Sequence, residues 1–492
     1  KRTVRAGLAL MVGGRLDISM QLEVGQLAET VEVTAAAALL ETTSASGGRV
    51  IDNQQIMQLP FSDLNPFVLA GIAPGMQWVG RPDYRRPFDN AGTSDFRAMG
   101  DAGRNEYTID GASNMRGSDV AFVPPADAVE EFKLELSAFD AAVGHTAGAT
   151  INVMTKAGTN TFHGSLYDQH WQKRWNATQH FARLAFEDAV RKGTRSPNDQ
   201  KNLPGRQNYY GAGVGGPVWI PKIYDGKNRL FFYFMYSGIM KDENEPGSDT
   251  NVTVPKMAWR QGDFSDMLAL DAVKYTVYDP RSARKSGSNV VRTPFPGNKG
   301  IPVLNPMYKS YEPLYPKPND VAGLVSPEGF NNFFAAGMPK NERFKSAISR
   351  VDYNINDRHR VYGRWYFNRR IGDEYDWAYE TKRGLESNGI TRVNKGVGAD
   401  YVWMPNNSSI LNLSANWGQY KDGDGASAVS QVQNQYKPSD VGLPAYMDQK
   451  AGQFHRLPGL DFNNIEDLSS GYRMTGNRAT TPQAKAAMTV IK

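Results

Sequence analysis

Eight amphipathic stretches, at 160–172, 207–219, 229–240, 342–355, 359–371, 393–404, 408–421 and 481–492, are joined by connections that alternate in length. The links at 220–228, 356–358 and 405–407 are short, whereas those at 173–206, 241–341, 372–392 and 422–480 are long. An antiparallel wall that crosses a bilayer has one rim of tight turns and one of long loops. A soluble sandwich can carry long loops, but it has no reason to gather them at one end. Two stretches show the accompanying face alternation. Val397, Ala399, Tyr401 and Trp403 alternate with Gly398, Asp400 and Val402, and Leu411, Leu413, Ala415 and Trp417 with Asn412, Ser414, Asn416 and Gly418. A polar inner face opposite an apolar lipid face demands that pattern. Tyr353, Tyr362, Trp403, Trp417 and Tyr420 fall near strand ends, where interfacial girdles sit.

A mean hydropathy of −0.53 excludes a polytopic helical membrane protein, and no window approaches the roughly 18 apolar residues of a spanning helix. A barrel escapes that test because only every second residue meets lipid. The net charge of +5 arises from interspersed signs, so no nucleic-acid partner is expected. With no cysteine there is neither a disulfide framework nor a thiolate metal site.

Ahead of the amphipathic stretches, the composition is that of small, glycine-rich domains. Leu16, Ile18, Met20, Leu22 and Val24 share one face, and Glu29–Ala35 follows a turn at Gly25. Two antiparallel edge strands of a small β-sandwich are expected there. Residues 44–155 read as a compact α/β unit: short helices at Asp52–Gln58 and Asn65–Ala73, a loop over Arg81–Asp101, a tight turn at Asp110-Gly111, a helix start over Pro124–Phe132, and strands at Lys133–Leu136 and Ile151–Thr155. The stretch Gly148–Trp171 is the hinge between this unit and the wall. Eight strands enclose only their own side chains, and barrels of about 22 strands enclose a plug. A unit of this size therefore implies a wall continuing past Lys492. The absence of an initiator Met and the weak Leu8–Val12 apolar run likewise point to a piece of a longer chain.

Reactive chemistry finds little support. Gly211, Gly213 and Gly216 match a dinucleotide fingerprint, but Pro217-Val218-Trp219 continues an extended segment where that site needs a helix. The six histidines form no HxxxH or HExxH pair, and KDGDGA around Asp422 and Asp424 fails the spacing of a calcium loop. No cofactor, metal or catalytic residue is expected, and the chain is not expected to be an enzyme.

Several motifs in order resemble the Oar-like TonB-dependent receptors of the bacterial outer membrane. ETVEVTA at 29–35 and LPFSDLNPFVLAGIAPG at 59–75 resemble the plug entry, and YTIDGASN at 107–114 and PADAVEEFKL at 125–134 the plug centre. GATINVMTKAGTNTFHGSLY at 148–167 resembles the plug-to-barrel junction, and GGPVWIPKIYDGKNRLFFYFMYSG at 215–238 the next strands. VPKMAWRQGDFSD, TPFPGNKGIP and YPKPN are similar to this subgroup's large loop. The resemblance implies three parts: the end of a carboxypeptidase-regulatory-like β-sandwich module over 1–43, without peptidase chemistry; a plug over 44–157; and the first antiparallel strands of a large transmembrane β-barrel over 158–492. It also implies binding of an extracellular substrate and import driven through TonB. Glu29, Thr30, Val31, Glu32, Val33, Thr34 and Ala35 are then either the TonB-contact segment or the final strand of the module. Tyr84, Arg85, Arg86 and Phe88 are candidate substrate contacts in a plug loop. The reading from another class is a soluble or cell-surface β-rich adhesin or carbohydrate-binding protein, without transport.

Overall fold

The computed structural model describes residues 3–6, 31–34 and most of 47–490; the longest stretches outside the described residues within that span are 137–147, 375–389, 425–436, 452–461 and 466–475. Strand β1 (Thr3–Ala6) pairs in parallel with β2 (Val31–Thr34), a partner not anticipated from the sequence. The predicted strand Leu16–Val24 lies outside the described residues, as do Glu29, Thr30 and Ala35.

The small unit is built on a five-stranded sheet. In spatial order it runs β3 (Gly47–Asp52), β6 (Val129–Leu136), β7 (Ala149–Thr155), β4 (Glu106–Ile109) and β5 (Ala112–Ser113). Helix α1 (Asn53–Gln58) starts where the Asp52 carboxylate accepts the Gln55 amide at 2.8 Å. Asn65 caps a 3-10 turn over Pro66–Ile72 in the same manner. The core gathers Ile51, Ile56, Phe67, Tyr107, Phe132, Leu134, Ile151 and Val153, each almost fully buried, with Phe67 edge-on to Tyr107 and Phe132.

Two local expectations are corrected here. Pro124–Phe132 does not start a helix: one 3-10 turn at Ala126–Ala128 leads straight into β6. Phe132, Leu134 and Leu136 bury on alternate positions, and β6 is paired on both sides, so sheet packing overrides the acidic helix-start signal. The loop expected at Arg81–Asp101 holds a short helix at Asn90–Ser94 and a strand at Phe96–Ala98 paired with Met76–Trp78. Its anchors are polar contacts distant in sequence, such as Trp78 Nε1 donating to the Gly92 carbonyl.

The second sheet contains eight strands in strict chain order. These are β8 (His163–Gln172), β9 (Gly205–Pro217), β10 (Leu230–Asn244), β11 (Pro339–Asn356), β12 (His359–Glu374), β13 (Ile390–Asn406), β14 (Ser409–Asp424) and β15 (Gly476–Val490). All neighbours are antiparallel. β11 and β12 are separated only by Asp357 and Arg358, and β13 and β14 only by Asn407 and Ser408. Most strands run past their expected limits at the long-link end, where Arg392 and Asp422 lie at inward positions.

Registers fix the faces. Outward positions include Phe234, Trp365, Val397 and Trp417 in one row and Val361, Tyr401 and Leu413 further down. From the Phe367 row to the Trp403 row is four two-residue steps, roughly 27 Å along the strands or about 20 Å once tilted, near the height of a hydrocarbon band. Within it Trp365, Val397, Leu413 and Met488 stay exposed. Tyr353 and Trp403 are outward, but Tyr362 and Tyr420 are not girdle residues: both face inward, against the small unit. Gly211 and Gly213 are strand residues; a Cβ at Gly211 would strike the Tyr167 ring at 2.6 Å, and one at Gly213 the Met235 sulfur at 2.8 Å.

The long link between β10 and β11 folds on itself. Arg260 donates to the Glu312 carboxylate (3.1 Å) and to the carbonyls of Tyr315 (3.3 Å) and Pro316 (2.5 Å). Trp259 Nε1 donates to Asp266 at 2.9 Å. Among the described residues no helix is long and apolar enough to cross a membrane, which says nothing of strands.

Candidate functional site: the seam between the small unit and the wall

The small unit lies against the inward face of the eight-stranded sheet, and the seam is dominated by buried charge. Its centre is the turn between β4 and β5. Asp110 (φ +48°) and Gly111 (φ +77°) are both left-handed, as a two-residue hairpin turn of this kind requires. That geometry aims the Asp110 carboxylate, fully buried, at the wall. It accepts the Thr155 amide and hydroxyl, each at 2.8 Å, from its own unit. From the wall it meets Arg364 at 2.5 Å and Arg350 at 3.5 Å. Arg364 also donates to the Ile109 carbonyl (2.8 Å) and to Asn416 (3.2 Å), and Tyr362 donates to the Asp110 carbonyl at 3.3 Å.

Other contacts repeat the motif along the sheet. Glu342, 1% exposed, is held by Arg370 at 2.7 Å and faces Arg86 of the small unit at 3.6 Å. Asp422 accepts from Arg392 (2.9 Å) and Tyr420 (2.8 Å), with Arg116 at 3.8 Å and stacked over the Tyr420 ring. Asp127 pairs with Lys156 at 3.1 Å and bonds the Ser165 hydroxyl. The Gln483 side chain acts like a strand edge, accepting the Ser113 amide (2.9 Å) and donating to its carbonyl (2.8 Å). Two apolar patches interrupt the polar field: Phe122 stacks on Tyr366 at 4.2 Å beside Met235 and Ile348, and Phe88 packs with Tyr209, Ile239 and Phe344.

Charge pairs buried in this way return little net stability, because desolvation offsets the attraction, yet removing one partner strands the other at about 3–5 kcal/mol. The seam is therefore specific without being adhesive. Within the small unit, burial and then the neighbouring Asp119 push the Asp95 carboxyl above its ordinary value.

Of the predicted substrate contacts, Tyr84 and Arg85 lie outside the described residues. Arg86 and Phe88 are both in the seam. Phe88 is 2% exposed, packed against Phe344 and sandwiched by the Arg86 and Arg370 guanidiniums at 4.8 and 4.4 Å. The Val31–Thr34 part of the candidate TonB segment is strand β2. Sequence reading singled out Asp110 for its turn and missed its partners. The available signal was a charge at inward parity, as in Tyr362, Arg364 and Tyr366 between outward Gly363 and Trp365. No group of three or more metal-binding side chains occurs among the described residues.

Over 237 residues the chain is 24% identical to the TonB-dependent transporter Oar of Myxococcus xanthus, which covers 46% of this chain and 20% of that protein. The solved outer membrane transporter YddB of Escherichia coli overlies 77% of this chain and 39% of its own, at 11% identity and a TM-score of 0.44. A mutant of the ferric enterobactin receptor PfeA of Pseudomonas aeruginosa overlies 78% and 42%, at 11% identity and a TM-score of 0.41. The chain thus spans well under two thirds of the length of these relatives. Residues 154–492, more than half of the chain, match the family described as outer membrane beta barrel domain. An eight-stranded antiparallel sheet in chain order, apolar outside and charged inside, agrees with that match, and the chain belongs to the outer membrane β-barrel family.

Proposed function

We propose that this chain forms the plug, over 44–157, and the first barrel strands, over 158–492, of a TonB-dependent receptor that binds an extracellular substrate and imports it with TonB-transmitted energy. The observation that carries the reading is the Asp110–Arg364 contact and its neighbours: a compact unit held against a membrane wall by directional polar bonds. An apolar seam would resist separation over its whole area, whereas a hydrogen-bonded one can be released bond by bond and re-formed. Glu29–Ala35 is the proposed TonB-contact segment, where strand addition would let main-chain hydrogen bonds transmit the pull. Tyr84, Arg85, Arg86 and Phe88 are proposed to report substrate arrival to the seam, Arg86 and Phe88 through Glu342 and Phe344.

The test uses the full-length protein in its own outer membrane. Ser113→Cys and Gln483→Cys, bridged by a short bis-maleimide, tie the unit to the wall. Uptake of candidate siderophores, oligosaccharides and peptides is expected to fail while surface binding persists. Unchanged uptake in the bridged protein, or intact TonB crosslinking after deletion of Glu29–Ala35, overturns the corresponding part of the reading. Surface binding with no uptake in the unmodified protein would instead mark a cell-surface binding protein.

A further inference from the structure

The long link between β10 and β11 is more than a loop. Its two ends pair with each other, Thr250–Val252 antiparallel to Phe333–Ala335, and between them Val254, Trp259, Met267, Tyr311 and Tyr315 are buried. Closed ends and a core of its own make it an inserted domain. One element stands clear of it: residues 276–295 form a two-stranded ribbon, tied at the base and uncovered towards the tip. At the base the buried Asn298 accepts the Val277 amide (2.9 Å) and donates to the Tyr275 carbonyl (2.7 Å), and the Phe295 amide donates to the Val277 carbonyl at 2.9 Å. At the tip Arg284–Ser286 pairs with Asn289–Val291 around Gly287 (φ +64°) and Ser288, a two-residue hairpin turn with glycine at its left-handed position. Every residue from Ala283 to Pro294 is exposed. Register sets Lys285 beside Val290 on one face, with Arg292 two residues on, and Arg284 beside Val291 on the other. Among the described residues no carboxylate meets Arg284, Lys285 or Arg292, whereas Asp279 holds Arg281 at 3.0 Å. A lone two-stranded ribbon gains little by folding in water, and cations crowded on it repel one another.

We propose that this ribbon binds an acidic polysaccharide outside the cell. Carboxylates repeated along the glycan meet cations on both faces, where Arg284 and Arg292 each offer the fork that takes two oxygens at once. The exposed valines pack on the C–H surfaces of the sugar rings. Nucleic acid fits less well: from Pro280 to Pro294 there is no aromatic ring for a base to stack on. A membrane surface also fits less well, because it needs an unbroken apolar face and each face here mixes a valine with a cation. The assignment rests on the long links facing outward, as the proposed function requires.

The full-length protein in phosphatidylcholine nanodiscs is titrated with polygalacturonate, its methyl ester, duplex DNA and phosphatidylglycerol vesicles. Polygalacturonate is expected to bind the wild type, and the triple variant Arg284→Gln, Lys285→Gln, Arg292→Gln about tenfold more weakly. The control variant Lys222→Gln, Lys227→Gln, Arg229→Gln removes the same charge from exposed positions by the short turn between β9 and β10, and is expected to bind as the wild type does. Equal binding of the methyl ester to the wild type overturns the proposal without any variant. So does undiminished binding by the ribbon variant, equal loss in the control, or DNA or vesicles held as tightly as polygalacturonate. Labelling of Ser288→Cys at the ribbon tip by an impermeant maleimide on intact cells tests orientation separately. Labelled cells with ester-insensitive binding would sink this proposal alone; unlabelled cells would sink the orientation.

Discussion

The interior of the small unit and its seam with the wall are assembled by opposite chemistry. Inside, Phe67, Tyr107, Phe132, Leu134 and Ile151 exclude water around a sheet paired on both sides. At the seam, two smaller apolar clusters around Phe122 and Phe88 lie among carboxylates that meet arginines. Hydrophobic burial is non-directional and scales with area, so it suits a unit that must not come apart. Buried ion pairs hold one geometry and give little net energy. The difference teaches that the unit's own fold and its attachment rest on separate interactions, as the proposed release from the wall requires.

The comparison breaks first if the interior is not the stronger element. Phe132→Ala removes a fully buried ring at the centre of the core and is expected to cost about 3–5 kcal/mol. Amide exchange across β3, β6 and β7 in the full-length protein should accelerate together, with the wall strands unchanged. Acceleration that extended equally to the wall strands would show that core and seam are one cooperative unit.

Next in size, Arg364→Ala strands the Asp110 carboxylate. Arg350 and the two Thr155 bonds remain, so the loss is expected near 3 kcal/mol, the lower end for a broken buried pair. Exchange should rise at residues 107–113 and not at Phe132–Leu136. Adding Asp110→Asn should return part of the loss, because the neutral side chain no longer needs the guanidinium. Gln483→Ala removes two hydrogen bonds to Ser113 and should cost about 1–2 kcal/mol, read at the same amides.

The same contrast explains what the sequence disclosed. The wall was legible because lipid on one side imposes a period of two, and because a rim of tight turns leaves links of only a few residues. Within the small unit, Asp110-Gly111 was legible as a turn, since few residues tolerate two successive left-handed positions. The seam was not. Nothing local says that Arg364 meets a carboxylate 254 residues earlier, and Arg370 and Arg369 look alike until register sends one inward and the other outward. Tyr362 and Tyr420 were misread for that reason: an aromatic near a strand end suits an interfacial girdle or an inner seam, and only parity decides. The helix expected at Pro124–Phe132 failed because a local acid pattern carried less than the pairing of β6 on both sides.

The smallest effect concerns Asp95, an ionisable group on the exposed edge of the small unit that is only partly desolvated. Burial first, and then the Asp119 charge, raise its carboxyl above the ordinary value of 3.8. The folded unit thus holds that proton more tightly than the unfolded chain does. Stability falls as pH rises through the interval above 3.8, and the penalty is complete once the folded carboxyl has ionised. Asp95→Asn cannot ionise, so it should match the wild type near pH 3 and exceed it at pH 7, with the gain at the amides of Met76–Trp78 and Phe96–Ala98, which pair beside it. A variant less stable than the wild type at pH 7 would mean that the carboxylate is an accepted partner there, and that charge is tolerated within the unit as readily as at its seam.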